Sequence, residues 1–232
     1  IVYAGTWSTG GAVNTARQKI GGGAGTQTAG LIFSGVSAGS DYEVKTESYN
    51  GTSWTEVGDL NTGRAFGAGT GAALTAALAF GGNIEEYDGS SWTEVTNLPA
   101  ATQEGAAFGL QTAAIFAGGD APGGRTANAF EYDGTNWTSI SAMNQLRSNH
   151  SAAGTTSQGV VYGGEIPANT AKTEYWNGTA WTEVNDLATA RAKAGYFGSG
   201  ILAAQVSGVT SGLVTATEEW TIPLATVSFD ID

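Results

Sequence analysis

Five residues of this chain fall at equivalent places yet carry four different side-chain types: Lys19, Phe66, Glu104, Asn149 and Lys193. Beside them stand Gln18, Gln103, Ser148 and the one histidine, His150. Ammonium, carboxylate and carboxamide groups around one opening suit a polar ligand, because amides both donate and accept while a carboxylate accepts. Glu104 could also be one half of a glycosidase pair, which needs a second carboxylate about 5–10 Å away. Asp41, Asp120 and Glu165 are the candidates for that partner. A single His cannot build a multi-His metal site, and the absence of Cys removes thiolate ligands, thiol nucleophiles and disulfides. No catalytic set, metal or cofactor is therefore assigned.

The equivalence comes from a repeat. Trp7, Trp54, Trp92, Trp137 and Trp181 mark five copies of one unit, usually as Trp-Thr-Glu-Val. Ten residues after each stands Arg17, Arg64, Thr102, Arg147 or Arg191, and the five variable residues follow two places later. A second aromatic precedes the later Trp residues by five: Tyr49, Tyr87, Tyr132 and Trp176. Trp220, in Thr-Glu-Glu-Trp, lies 44 residues beyond Trp176 in Thr-Glu-Tyr-Trp and so continues this second series. The fifth unit then lacks its own Trp-Thr-Glu-Val, and the matching piece is residues 2–9.

Each unit reads as four short strands. A small-residue stretch follows the Arg (strand a). An apolar run ending in Gly comes next (strand b), then a Thr-Glu-Ser-Tyr type segment (strand c) and the Trp segment (strand d). Asn50-Gly51, Asp88-Gly89, Asp133-Gly134 and Asn177-Gly178 predict type I′ turns between c and d. Glu47, Glu86, Glu131, Glu174 and Glu218 read as a recurring carboxylate on strand c, available to the recurring Arg. Four-stranded units of about 40–50 residues arranged radially make a β-propeller. The expected fold is all-β: a five-bladed propeller whose N-terminal strand completes the last blade and closes the ring, leaving no free edge there. One domain is expected over 1–222, with blades at 17–57, 64–95, 102–140, 147–184 and 191–222 plus 1–9. Residues 223–232 form an extension or the start of a linker. Beginning at Ile1 without Met, the chain reads as a fragment or a processed product.

Gly81-Gly82, Gly118-Gly119 and Gly163-Gly164 after strand b, the later Tyr and Trp, and Arg64, Arg147 and Arg191 ahead of strand a resemble kelch repeats over nearly the whole chain. Two units depart by carrying a single Gly, in Phe-Ser-Gly and Val-Ser-Gly. The Gly-, Ala- and Thr-rich repeats are also similar to kelch-type repeats of bacteriophage and marine bacterial surface or tail proteins. That resemblance implies an interaction module, sited on a virion or at a cell surface. The partners it implies are a cell-surface glycan or protein receptor and other parts of the same or a neighbouring virion protein.

A residue that recurs in every unit is expected to be scaffold; one that differs is a candidate for function. The b–c connections differ most, running from nine residues at 36–44 to almost nothing at Asn83-Ile84. In a propeller they share a face with the d–a connections, and loops on a rigid scaffold are where recognition concentrates. The expected ligand face comprises Asp41, Tyr42, Arg125 and Glu165 from the loops, with Lys19, Glu104, Asn149, His150 and Lys193 around the channel mouth. The competing reading makes the ring a self-satisfied Lys–Glu network beneath neutrally varying loops. A net charge of −12 with only nine Lys and Arg argues against nucleic acid and anionic membrane surfaces. No apolar run reaches the length of about 18 residues that a spanning helix needs, so no membrane insertion is expected. The reading is a non-catalytic binding or structural module. The alternatives are a five-bladed carbohydrate-active enzyme using Glu104 and a loop carboxylate, or a purely structural fibre domain.

Overall fold

The computed structural model of the protein describes residues 10–20, 22–26, 28–38, 42–65 and 67–222. Five antiparallel meanders run along the chain. The first is β1 (Gly22–Thr26), β2 (Ala29–Phe33), β3 (Thr46–Tyr49) and β4 (Trp54–Glu56). The second is β5 (Gly69–Ala73), β6 (Ala76–Ala79), β7 (Glu85–Tyr87) and β8 (Trp92–Glu94). The third holds β9 (Ala106–Leu110) and β10 (Ala113–Ala117), then the small hairpin β11 (Asp120–Ala121) and β12 (Gly124–Arg125), then β13 (Ala129–Tyr132) and β14 (Trp137–Ile140). The fourth repeats that plan with β15 (Ser151–Thr155), β16 (Gln158–Tyr162), the hairpin β17 (Glu165–Ile166) and β18 (Ala168–Asn169), β19 (Thr173–Trp176) and β20 (Trp181–Glu183). The fifth has three described strands, β21 (Gly195–Gly198), β22 (Leu202–Val206) and β23 (Thr217–Thr221). The strand expected from residues 2–9 lies outside the described residues, as does the segment 223–232.

Inner strands β1, β5, β9, β15 and β21 lie side by side in that order, so the meanders are blades of a five-bladed β-propeller. Small residues let these strands converge. Gly109 (φ 112°) and Gly154 (φ 146°), next to last in their inner strands, show the demand for Gly there: a Cβ would run into the carbonyl of Ala113 or Gln158 on the adjoining strand.

The two aromatic series meet across strands c and d. Tyr49–Trp54, Tyr87–Trp92, Tyr132–Trp137 and Trp176–Trp181 are direct cross-strand pairs with ring centroids 4.8–5.2 Å apart. Each strand-d indole N–H then reaches back beyond its own blade. Trp54 donates to the Gly11 carbonyl, Trp92 to Thr46 Oγ1, Trp137 to the Thr96 carbonyl and Trp181 to the Ser141 carbonyl. Trp220 pairs with Ala203 of strand b, the register in which Tyr132 pairs with Ala114 and Trp176 with Gly159. It is therefore a strand-c aromatic and not the marker of a sixth unit.

The c–d turns differ from the type I′ expectation. Only the Gly has positive φ, at 91° to 99° in Gly51, Gly89, Gly134 and Gly178. The preceding Asn or Asp stays outside the left-handed region because its side chain takes over the closure. Asn50 Oδ1 accepts from Thr52 and Ser53 N–H at 2.9 Å, and Asp88, Asp133 and Asn177 do the same. Those bonds hold the exposed Asp88 carboxyl down at about 2.

The recurring Arg forms a buried ion pair with strand c. Arg17–Glu47 (3.0 Å), Arg64–Glu85, Arg147–Glu174 (2.9 Å) and Arg191–Glu218 recur. The Glu also accepts from the backbone N–H three residues before the Arg, at Asn14, Asn61, Asn144 and Ala188. Blade 2 corrects the sequence alignment by one residue: Glu85 is the buried partner, whereas Glu86 accepts from Tyr132 Oη across the junction. Blade 3 corrects it further, because the equivalent of Glu47 is Phe130 and not Glu131. Cross-strand register decides this: Phe130 opposes Phe116 as Glu47 opposes Ile32. Blade 3 has thus replaced three residues together, with Pro99 for the donor, Thr102 for Arg and Phe130 for Glu.

The two units with one Gly keep the backbone of the double-Gly motif. Ser34 (φ 67°) and Ser207 (φ 64°) adopt the left-handed conformation of Gly118 (φ 64°) and Gly163 (φ 67°).

Candidate functional site

The d–a and b–c connections lie on one face of the propeller and the c–d turns on the other. Around the channel mouth, four of the five variable positions have the same left-handed backbone: Lys19 (φ 55°), Glu104 (φ 56°), Asn149 (φ 54°) and Lys193 (φ 55°). Phe66, the fifth, lies outside the described residues. Backbone bonds run from blade to blade here, with Asn149 N–H donating to the Glu104 carbonyl (2.7 Å) and Lys193 N–H to the Asn149 carbonyl (3.0 Å). The conformation recurs and is scaffold; only the side chains vary.

Those side chains fall into two groups on blades 3 to 5. Asn149 Nδ2 donates to Glu104 Oε2 at 2.7 Å. Glu165 sits between two cations, with Arg125 Nη2 at 2.8 Å from Oε2 and Lys193 Nζ at 3.0 Å from Oε1. Arg125 Nε also donates to Ser148 Oγ (2.9 Å) and lies 3.7 Å from Asp120 Oδ1. Asn169 Nδ2 donates to the Val209 and Thr210 carbonyls, tying the fourth-blade hairpin to the fifth-blade loop. Arg125, Glu165 and Lys193, from three blades, are therefore one network. Tyr42 stands apart on the first-blade loop, 63% exposed and backed by Gly63. Asp41 lies outside the described residues. Lys19 is exposed at the mouth.

His150 does not face the opening. It is 4% exposed and enclosed by Gly118 and Gly164. Burial, with the nearby Arg147 charge second, pulls the imidazole down to about 3. Its place directly after a left-handed residue turns it inward, which spacing from the Arg could not reveal.

The blade junctions differ at their loop-side edge. At three of them, the Gly after strand b donates to the carbonyl of the next blade's Arg: Gly35 to Arg64, Gly119 to Arg147 and Gly164 to Arg191 (2.7–2.9 Å). The same Arg returns an N–H to the preceding blade's b–c loop, at Glu43, Thr126 or Thr170 (3.3 Å). Between blades 2 and 3 neither bond exists among the described residues, since blade 2 has no b–c loop to offer. A notch of about 460 Å³ opens there. Its walls are Gly82-Asn83, the segment Asn97–Gln103 and the β11 edge at Asp120–Pro122. Below it the junction is packed with aromatic rings: Phe80 lies 5.2 Å from Phe116 and 5.8 Å from Trp137, with Phe130 and Tyr132 in the same cluster. Of its lining residues the sequence singles out Gln103 and Asp120, for other roles, and does not bring them together.

No family model matches the chain, and neither does any curated protein. Among solved structures, that of YjhT is similar, with a TM-score of 0.69 and 14% identity over 84% of this chain and 79% of that one. At that identity the likeness is one of fold.

Proposed function

We propose that this propeller is a non-catalytic recognition module of the kelch type, which binds a glycan or protein receptor through its d–a/b–c face. Its setting on this reading is a virion or cell surface, apart from nucleic acid and without membrane insertion. The observation that carries the proposal is the asymmetry of the two faces. Four described c–d turns share one Asx-closed design, whereas the opposite face changes in loop length and chemistry from blade to blade.

The carboxylates favour binding over hydrolysis. Glu165 is held by two cations and Glu104 by an amide, so both carboxylates are engaged in tying the blades of this face together. The charged residues of blades 3 to 5 shape this face and fix the loops.

A glycan array probed with the domain tests the reading, with immobilised host-surface protein as a parallel arm. Retention of a discrete ligand set is expected, reduced by Tyr42→Ala together with Arg125→Ala. Silence in both arms would leave a structural spacer as the better description, and ligand turnover would restore the enzyme alternative.

A further inference from the structure

We infer that the notch between blades 2 and 3 is a subsite for a neutral sugar ring. This deepens the recognition reading and rests on it.

Three observations converge on this place. The first is that the opening is built. Losing the Arg–Glu pair one partner at a time would leave a buried charge, but Pro99, Thr102 and Phe130 replace donor, cation and carboxylate together. Phe130 then packs with Phe80 and Phe116, and Thr102 Oγ1 is satisfied by the Ala100 carbonyl at 2.9 Å. The floor stays closed while the rim is open.

The second is size. About 460 Å³ falls within the range of about 300–1,000 Å³ usual for small-ligand sites.

The third is lining chemistry. Asn83, Asn97 and Gln103 supply three carboxamides, Asp120 one carboxylate, and Leu98 and Pro122 apolar surface. Two of the amides are already oriented. Asn97 Oδ1 accepts from Ile84 N–H (2.8 Å), and Asn97 Nδ2 lies 3.4 Å from Asn83 Oδ1. Asn83 Nδ2 donates to Glu94 Oε1 at 2.8 Å. Each amide NH₂ keeps a second hydrogen, and the Asn83 oxygen keeps a lone pair. Fixed donors and acceptors side by side match the adjacent hydroxyls of a pyranose, and the apolar wall suits its C–H face. No Lys or Arg lines the notch, and the nearby Arg125, 3.7 Å from Asp120, is already paired with Glu165, so a phosphate, sulfate or uronate would meet the Asp120 carboxylate with no uncommitted cation among the lining residues. A peptide would need an open strand edge or deep side-chain pockets, and the notch walls are loops and one short hairpin edge.

Calorimetric titration with cellotriose, maltotriose, chitotriose and lactose, and with sulfolactose as the anionic control, tests the assignment. At least one neutral saccharide should bind with millimolar or tighter affinity, with sulfolactose weaker than lactose. Gln103→Ala should weaken that binding about tenfold, the loss of one well-placed hydrogen bond. Ala121→Trp, which fills the notch from an exposed hairpin, should abolish it while leaving the melting temperature unchanged. Neutral binding that survives Ala121→Trp overturns the notch but leaves loop-face recognition standing. Binding of a basic peptide in its place overturns the sugar assignment. Silence toward every saccharide, with a positive glycan array or receptor-protein arm, overturns the notch alone; silence in all three assays overturns both readings.

Discussion

The junction between blades 3 and 4 and the junction between blades 2 and 3 solve the same packing problem in opposite ways. At the first, Arg147 is fully buried and makes four close bonds. It reaches the carboxylate of Glu174, the Gly163 and Lys172 carbonyls, and through its own carbonyl the Gly119 N–H. Burial alone drags its guanidinium below the usual arginine value, and Glu174 pulls the other way. At the second, Thr102, Phe130 and Pro99 do without charge, and aromatic packing holds the blades. The comparison teaches that the Arg–Glu pair is one answer to a buried gap and not a requirement of the fold. Where a blade gives it up, it must give up the whole set, and the loop edge is then free to open.

Breaking one partner should give the largest effect. Arg147→Met should cost about 3–5 kcal/mol by stranding Glu174, whereas Thr102→Ala should cost about 1 kcal/mol or less. Urea unfolding of the two variants side by side measures the gap. Installing the third-blade solution in the fourth sharpens the point. Asn144→Pro, Arg147→Thr and Glu174→Phe combined should lose less than about half of what Arg147→Met loses, since no buried charge is left alone. A triple variant less stable than the single one would mean that the two junctions are not interchangeable.

His150 offers a milder probe of the charged junction. Its folded-state value of about 3 lies below the ordinary 6.5, so the unfolded chain takes up a proton that the folded one refuses. That contribution to stability is intact above about pH 6.5. It is lost as pH falls toward 3, by at most about 1.4 kcal/mol per pH unit. His150→Ala takes the residue that blade 5 carries as Ala194, and should flatten this slope in melts between pH 7 and pH 4. The smallest effect belongs to the uniform face: Gly134→Ala, at φ 91°, should cost about 1 kcal/mol and leave ligand binding untouched.

Much of this architecture was legible because the chain repeats itself. Trp and Tyr spacing placed Trp220 on strand c, and the small residues after each Arg marked the inner strands. The errors were local. Glu86 and Glu131 align with Glu47 in the sequence, but a one-residue slip on a strand exchanges its two faces, and only register separates them. Spacing alone puts His150 at the mouth, because backbone handedness cannot be read from spacing. At the candidate site, the network of Arg125, Glu165 and Lys193 joins three blades and so has no local sequence signal. The notch was visible only as an absence, a loop of almost no length at Asn83-Ile84. Its lining residues come from two blades and look ordinary one by one.

The central claim is that recognition belongs to the face where the repeats disagree. Amide hydrogen exchange of the domain, with and without a ligand retained on the array, tests it directly. Added protection should concentrate on 82–83, 97–104 and 120–125, with the c–d turns at 50–53, 88–91, 133–136 and 177–180 unchanged. Protection centred on those turns, with the variable face unaffected, would contradict it.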